Sequence, residues 1–397
     1  MRFRRVLVVA VVALVAVGMS KAALGVAWPA MATDLGRDLA ELGVLLAAFL
    51  VAYLAATMVG GDLMGRFGPG AVLTTAGGVG AVALVGYALA QTWTILVAAA
   101  VLAGAAGGLV DVGVNARIAV AGGARSMGIL HAGFGVGATL GPLLMASLIA
   151  SGGSWRAGFL VLGAVQSVAA AGFLATRSGW GEGTSRIGRG ARPALEDGPL
   201  LVLSLAVFAL YTGLEVGAAQ WSFTLFTEGR SISPGVAGLA VAGFWAGITG
   251  SRIVLGVLGD RLPPGRALAI GSTTAAVAMG VMWWSPAPWT GPAALMAGGL
   301  ALGPVFPLLM LATPVRVGVA FTPWAVGYQI AAASAGAAVV PGGIGLAVGW
   351  AGLEAITPVL LVVAVGLIAG IRALERRGAG PEAGHRGPMA NPAGSSP

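Results

Sequence analysis

Residues 61–70 read GDLMGRFGPG, and 195 positions later residues 256–266 read GVLGDRLPPGR. Gly61, Leu63 and Arg66 of the first copy correspond to Gly256, Leu258 and Arg261 of the second. Each copy follows an apolar run and ends in proline and glycine, so each reads as a polar connection between two apolar segments. The same shift relates Trp155 to Trp350, and GATLGP at 137–142 is echoed by GAAVVP at 336–341 with a shift of 199. One unit is therefore written twice along the chain, and the number of apolar segments in each unit decides the fold.

Outward from these two connections, windows of about 20 apolar residues recur, each long enough to cross a hydrocarbon core of roughly 30 Å. They lie at 6–32, 39–60, 71–90, 92–116, 127–150 and 157–176 in the first unit, and at 199–226, 235–259, 266–284, 292–313, 324–348 and 358–373 in the second. Of 397 residues 57% are hydrophobic and 9% charged, too little polar surface to cover a soluble globule. The 67 glycines suit close helix contacts in lipid. The expected fold is all-α integral membrane: twelve transmembrane helices in two pseudo-symmetric six-helix bundles, residues 1–176 and 199–374. A linker rich in glycine and charge at 177–198 joins them, and a disordered tail is expected at 375–397.

The arginines orient this plan. With loops assigned alternately to two sides, seventeen arginines share the side of the N-terminus, and Arg37, Arg156 and Arg230 face the other. The positive-inside bias then places both termini in the cytoplasm of a plasma (bacterial inner) membrane. Trp93, Trp155, Trp289 and Trp350 fall at the outer boundary, as an aromatic belt would. The net charge of +8 is thus a topology signal and not a nucleic-acid footprint. MRFRR followed by an apolar run also resembles a secretory signal, but its removal would leave eleven spans and break the repeat. The absence of cysteine excludes disulfides and thiolate sites. With two histidines and no G-x-x-x-x-G-K-[ST] loop, no enzyme, metal site, nucleotide motor or other cofactor is expected.

Two similar six-helix units joined by a linker mark an alternating-access transporter that binds its solute near the midplane. Over nearly its whole length the chain resembles the major facilitator superfamily, whose signature is a G-x-L-x-D-R connection after the second and eighth helices. The resemblance implies a cytoplasmic gate formed by Gly61, Arg66, Gly256, Asp260 and Arg261. The first copy has Gly65 where the acid belongs, with Asp62 three positions early, which leaves Arg66 as a basic anchor. GLVDVGVNARIAVAGGARSMGILHAGFGVGATLGPLL at 108–144 and FALYTGLEVGAAQW at 208–221 resemble the fucose-permease-like branch. Asp111, Asn115, His131, Glu215 and Trp221 match that branch's polar positions. The resemblance implies proton-coupled uptake of a small sugar-like solute by a monomer in the lipid bilayer. Lys21 stands where the fucose permease has an acid in its first helix.

An ionisable group within hydrocarbon costs roughly 2.5–3.5 kcal/mol on insertion scales unless a cavity or partner receives it. Asp111 and Asn115 are spaced i, i+4 and share one face with Gly104 and Gly108. Asp111 is a candidate for proton coupling, since withdrawal from water favours the protonated form of a carboxylate and lets it alternate between protonated and ionised, or a structural acid paired with Arg117 or Arg252. Lys21, the chain's single lysine, and Glu215 lie 194 residues apart at similar depth. They are expected to face each other across the two halves and to pair when the outer side is closed; the alternative is that Lys21 snorkels to the interface. His131 suits a proton relay with an unperturbed pKa near 6.5, or a hydrogen-bonded boundary position. Gln220, Trp221 and Gln329 are candidate solute contacts, an indole stacking on a sugar ring while amides bond hydroxyls. Pro304 and Pro307 should kink the tenth helix. The same features leave two other functions open: proton-driven efflux of a drug or metabolite, and a non-transporting receptor or assembly factor.

Overall fold

A computed structural model describes residues 2–37, 41–181, 198–261, 263–285 and 287–378. Twelve helices are long and apolar enough to cross a membrane. They are α1 (Arg2–Asp34), α2 (Leu42–Phe67), α3 (Pro69–Leu89), α4 (Trp93–Ala121), α5 (Ala124–Ala150) and α6 (Trp155–Ala175), then α7 (Gly198–Thr224), α8 (Pro234–Leu258) and α9 (Pro264–Trp284). The last three are α10 (Thr290–Val317), α11 (Thr322–Ala351) and α12 (Ile356–Gly378). No strand occurs among the described residues.

The helix ends follow local chemistry. The first signature copy is not a loop, as its polarity suggested: α2 continues through it to Phe67. The chain turns only at Gly68, where φ is 82° and Pro69 opens α3. A residue before proline is driven out of the helical region, and glycine can adopt the positive φ found here. The kink expected in α10 is a double break, into Thr290–Leu302, Val305–Leu311 and Thr313–Val317. The last helix runs past Glu375, where the tail was expected to begin, to Gly378; residues 379–397 lie outside the described residues. Of the linker expected at 177–198, residues 182–197 lie outside them too. Its first residues form a 3-10 turn, Arg177–Gly179, after which Trp180 is buried against Phe173 with ring centroids 5.2 Å apart.

Each half repeats one packing scheme. Before the linker the principal pairs are α1 with α5, α2 with α4 and α3 with α6; after it they are α7 with α11, α8 with α10 and α9 with α12. The halves meet along α2 with α11 and α5 with α8. Both seams close at the near face, where α1 begins and α12 ends. A Cβ on Gly61 would lie 2.6 Å from Trp324, and one on Gly256 2.8 Å from Ile129, so glycine is what permits this approach.

At the opposite, far face, each half is tied by one arginine. Arg156 donates to the carbonyls of Ala88 (3.0 Å) and Ala90 (2.7 Å) and lies 3.8 Å from Asp34. Arg230 donates to both carboxylate oxygens of Glu354 (2.9 and 2.7 Å) and to the carbonyl of Met282. Of the expected aromatic belt, Trp289 and Trp350 are exposed. Trp155 is not a belt residue: it is 3% exposed, and its Nε1 donates to Asp34 at 2.8 Å.

Candidate functional site

Between the halves, beyond the near-face seams, lies a cavity of about 240 Å³ into which both bundles send charge. From the first half, Lys21 on α1 stands 3.3 Å from Asp111 on α4. Tyr53 on α2 donates its hydroxyl to the same Asp111 oxygen at 2.6 Å. The Lys21 ammonium also sits 4.3 Å from the centre of the Tyr53 ring, where the ring's negative face attracts it. Gly104 and Gly108 put the α4 backbone against α2 at Phe49 and Tyr53, which explains how Tyr53 reaches Asp111. One turn further along α4, Asn115 donates to the Asp111 carbonyl at 2.9 Å, and its own Oδ1 has no partner among the described residues.

The second half supplies a matching pair. Glu215 on α7 lies 3.6 Å from Arg252 on α8, both nearly buried. Arg252 is anchored from behind by α10. Its Nε donates to the Gly303 carbonyl at 3.1 Å, and Tyr211 donates to the carbonyl of Leu302 at 3.2 Å. The break in α10 makes the first bond available: in a regular helix the Gly303 carbonyl would accept from the residue four places on, which is Pro307 and has no N–H. Arg252 takes up that acceptor. Its Nη2 also reaches the Tyr211 hydroxyl at 3.4 Å.

His131 on α5 lines the same cavity as the two pairs. It is buried, its ring meets Phe306 edge-on at 5.2 Å, and its Nε2 has no partner among the described residues. Thr212 Oγ1 on α7 is unpartnered in the same sense and lines the same cavity. Buried polar atoms without partners are rare in finished folds. Asn115, His131 and Thr212 therefore present three unmet hydrogen-bonding atoms around a space flanked by two ion pairs.

The site corrects several expectations. Lys21 and Glu215 line one cavity at related positions, and with the near face closed each finds its counter-charge within its own half; the pairing expected for a closed far side belongs to the other state. A lone charge in an apolar bundle is costly, and in this arrangement the partner inside the half is the closer one. Asp111 pairs with Lys21 and not with Arg117 or Arg252. Gln329 is no solute contact; fully buried, it donates to Ser204 at 2.8 Å and accepts from Thr313 at 2.9 Å, pinning α11 to α7 and α10. Gln220 and Trp221 line a separate recess between α7 and α11, where the indole donates to the Pro341 carbonyl at 3.0 Å.

At the near-face gate, Asp62 and not Arg66 makes the bond between halves. Trp324 Nε1 donates to its carboxylate at 2.7 Å, while Arg66 is exposed over the ring of Phe67. Gly256 packs on α5. Arg261 ends the 3-10 turn Gly259–Arg261, and the Asp260 side chain lies outside the described residues. The sequence reading passed over Tyr53, Tyr211, Thr212 and Phe306. The available signal was scarcity, since the chain has four tyrosines and two of them bond the charged pairs.

A family model described as Major Facilitator Superfamily matches residues 10–341. No curated protein matches. Among solved structures, the human organic anion transporter MFSD10 (TETRAN) superposes with a TM-score of 0.73 at 17% identity, over 93% of this chain and 99% of that one. The E. coli fucose:proton symporter FucP gives 0.72 at 14% identity, over 94% and 98%. The proton:xylose symporter XylE, bound to 6-bromo-6-deoxy-D-glucose, gives 0.71 at 14%, over 92% and 94%. At such identities the likeness speaks for the fold alone.

Proposed function

The chain belongs to the major facilitator superfamily, and from that premise we propose that it imports a small, sugar-like polar solute together with protons across the plasma membrane. Both termini are cytoplasmic in this reading, so the near face is the inner one and the cavity opens outward. The carrying observation is the pairing of two ion pairs, one from each half, around three unpartnered polar atoms. Asn115, His131 and Thr212 suit the hydroxyls of a polyol, and the rings of Phe134, Tyr211 and Phe306 suit its apolar faces.

Asp111 is the coupling acid. Ionised, it holds Lys21 and the Tyr53 hydroxyl; protonated, it no longer neutralises Lys21, and the ammonium is free to take another partner or the solute. Arg252 keeps its charge at any working pH, so Glu215 remains its counter-ion and the second half serves as the fixed side of the site. We assign the proton relay to His131, which lines the same cavity. The apolar share of the cavity wall, with Leu14, Phe306 and Ile330, supports a second reading, proton-driven efflux of a drug or metabolite.

A solute panel on proteoliposomes carrying an internal pH dye tests both readings. The native protein should acidify or alkalinise the lumen only with its solute, and Asp111→Asn should lose the proton signal. Solute flux without proton movement in the native protein would reject coupling. The sign of the proton flux relative to the solute separates import from efflux.

A further inference from the structure

A second chamber, of about 220 Å³, lies inside the first bundle between α1, α2, α3, α4 and α6. Its walls are mainly apolar, from Leu24, Leu46, Phe49, Leu84, Val110 and Phe159. Four polar side chains break this lining: Lys21, Ser20, whose hydroxyl donates to the Val17 carbonyl at 3.0 Å, Gln166 and Tyr87. Gln166 on α6 is 4% exposed, and no protein group bonds its amide among the described residues. Tyr87 on α3 is 3% exposed and stacks on Phe159 at 5.0 Å, and its hydroxyl likewise bonds no protein group there. Gly80 keeps room for the amide, since a Cβ there would lie 3.1 Å from Gln166 Nε2. Lys21 forms part of the chamber's wall and of the central cavity's wall.

An amide and a hydroxyl that face a mainly apolar chamber with no protein partner are best satisfied by a bound molecule that brings its own polar group. The space equals roughly seven waters of liquid volume, but waters there would face mostly hydrocarbon. Dry apolar cavities of about 150 Å³ already hold a benzene ring. We propose that this chamber is a ligand site distinct from the solute site. Its occupant is a compact one-ring or short-chain apolar molecule with a single hydroxyl, which bonds Gln166 and Tyr87 while its body fills the apolar pocket. Because Lys21 borders both spaces, the occupant also changes the affinity of the central cavity for its solute, and the effect is reciprocal.

The test uses the full chain in lipid nanodiscs, with 4-fluorophenol as probe and 4-fluorotoluene as its hydroxyl-free control, both followed by fluorine NMR against empty nanodiscs. Saturable binding of both probes above the lipid background is expected. Gln166→Leu should weaken 4-fluorophenol about fivefold, one neutral hydrogen bond, and leave 4-fluorotoluene unchanged or tighter. Ala103→Phe, which fills the chamber, should abolish both, with thermal melting as the check that each variant is folded. No saturable binding to the native protein, or equal binding by a folded Ala103→Phe variant, overturns the proposal. Should Ala103→Phe fail to fold, an unchanged ratio of the two probes in Gln166→Leu overturns it as well. None of these measurements involves the transported solute, so a negative result leaves the transport reading intact.

Discussion

The bond between Trp324 and Asp62 joins the two halves at the closed near face, so under the proposed alternating access its removal should act on that conformational state. Trp324→Phe is the cleanest perturbation: it keeps an aromatic ring beside Gly61 and Phe321, 6.0 Å from the latter, and deletes only the donor. The bond is 2.7 Å long, its acceptor is a carboxylate, and the tryptophan is 3% exposed. Hydrogen bonds to charged groups contribute roughly 1.5–3 kcal/mol, and because Asp62 is half-buried the lower end applies. About 1.5 kcal/mol converts to a tenfold rise in the near-face-open population relative to the closed one. The chain has no cysteine, so spin labels on Phe67→Cys and Val319→Cys, two exposed near-face positions, report distance without background. The native protein should give mainly the short distance, and Trp324→Phe should move a clear fraction to a longer one. Asp62→Ala should shift the distribution the same way. An unchanged distribution in both variants would refute the reasoning, because the bond would then contribute equally to both states.

Other consequences are open to measurement. Pro307→Ala restores an N–H that competes with Arg252 for the Gly303 carbonyl; solute affinity should fall several-fold, read as a raised KM, while thermal stability holds or rises because a helix break is repaired. Arg252→Ala leaves Glu215 buried without its counter-charge and should cost roughly 3–5 kcal/mol. Replacing both by glutamine should recover much of that loss in a melting experiment. Trp155→Phe removes one bond to the carboxylate of Asp34 at the far face and should destabilise by about 1 kcal/mol with little effect on flux.

The twelve helices and their twofold repetition were legible because each leaves a periodic trace along the chain: apolar length, a loop of arginine, and a copy of GDLMGRFGPG one half later. Where α2 ends was not, because polarity pointed to Gly61 while the steric rule at Gly68–Pro69 governs. Lys21, Asp111, Glu215 and Arg252 were each visible as charges in apolar runs. Their pairing was not, since spacing along one helix says nothing about which neighbouring helix faces it. Pseudo-symmetry places Lys21 and Glu215 at equivalent depths, and with the near face closed each is neutralised by a partner inside its own bundle. Gln329 and Trp221 show the same gap from the other side: both are polar groups in a membrane helix, and both are consumed by protein acceptors and donors that no sequence pattern announces.

The single lysine of the chain has a chemical consequence. Its ammonium is partly open to the central cavity, with a side-chain exposure of 26%, and apart from the backbone's own α-amine it is the only primary amine in the protein. A membrane-impermeant acylating reagent therefore has one side-chain target, and that target stands beside Asp111. The rate of its modification is a clock for the opening of the cavity, readable by intact mass as one added acyl group and slowed by whatever solute fills the space.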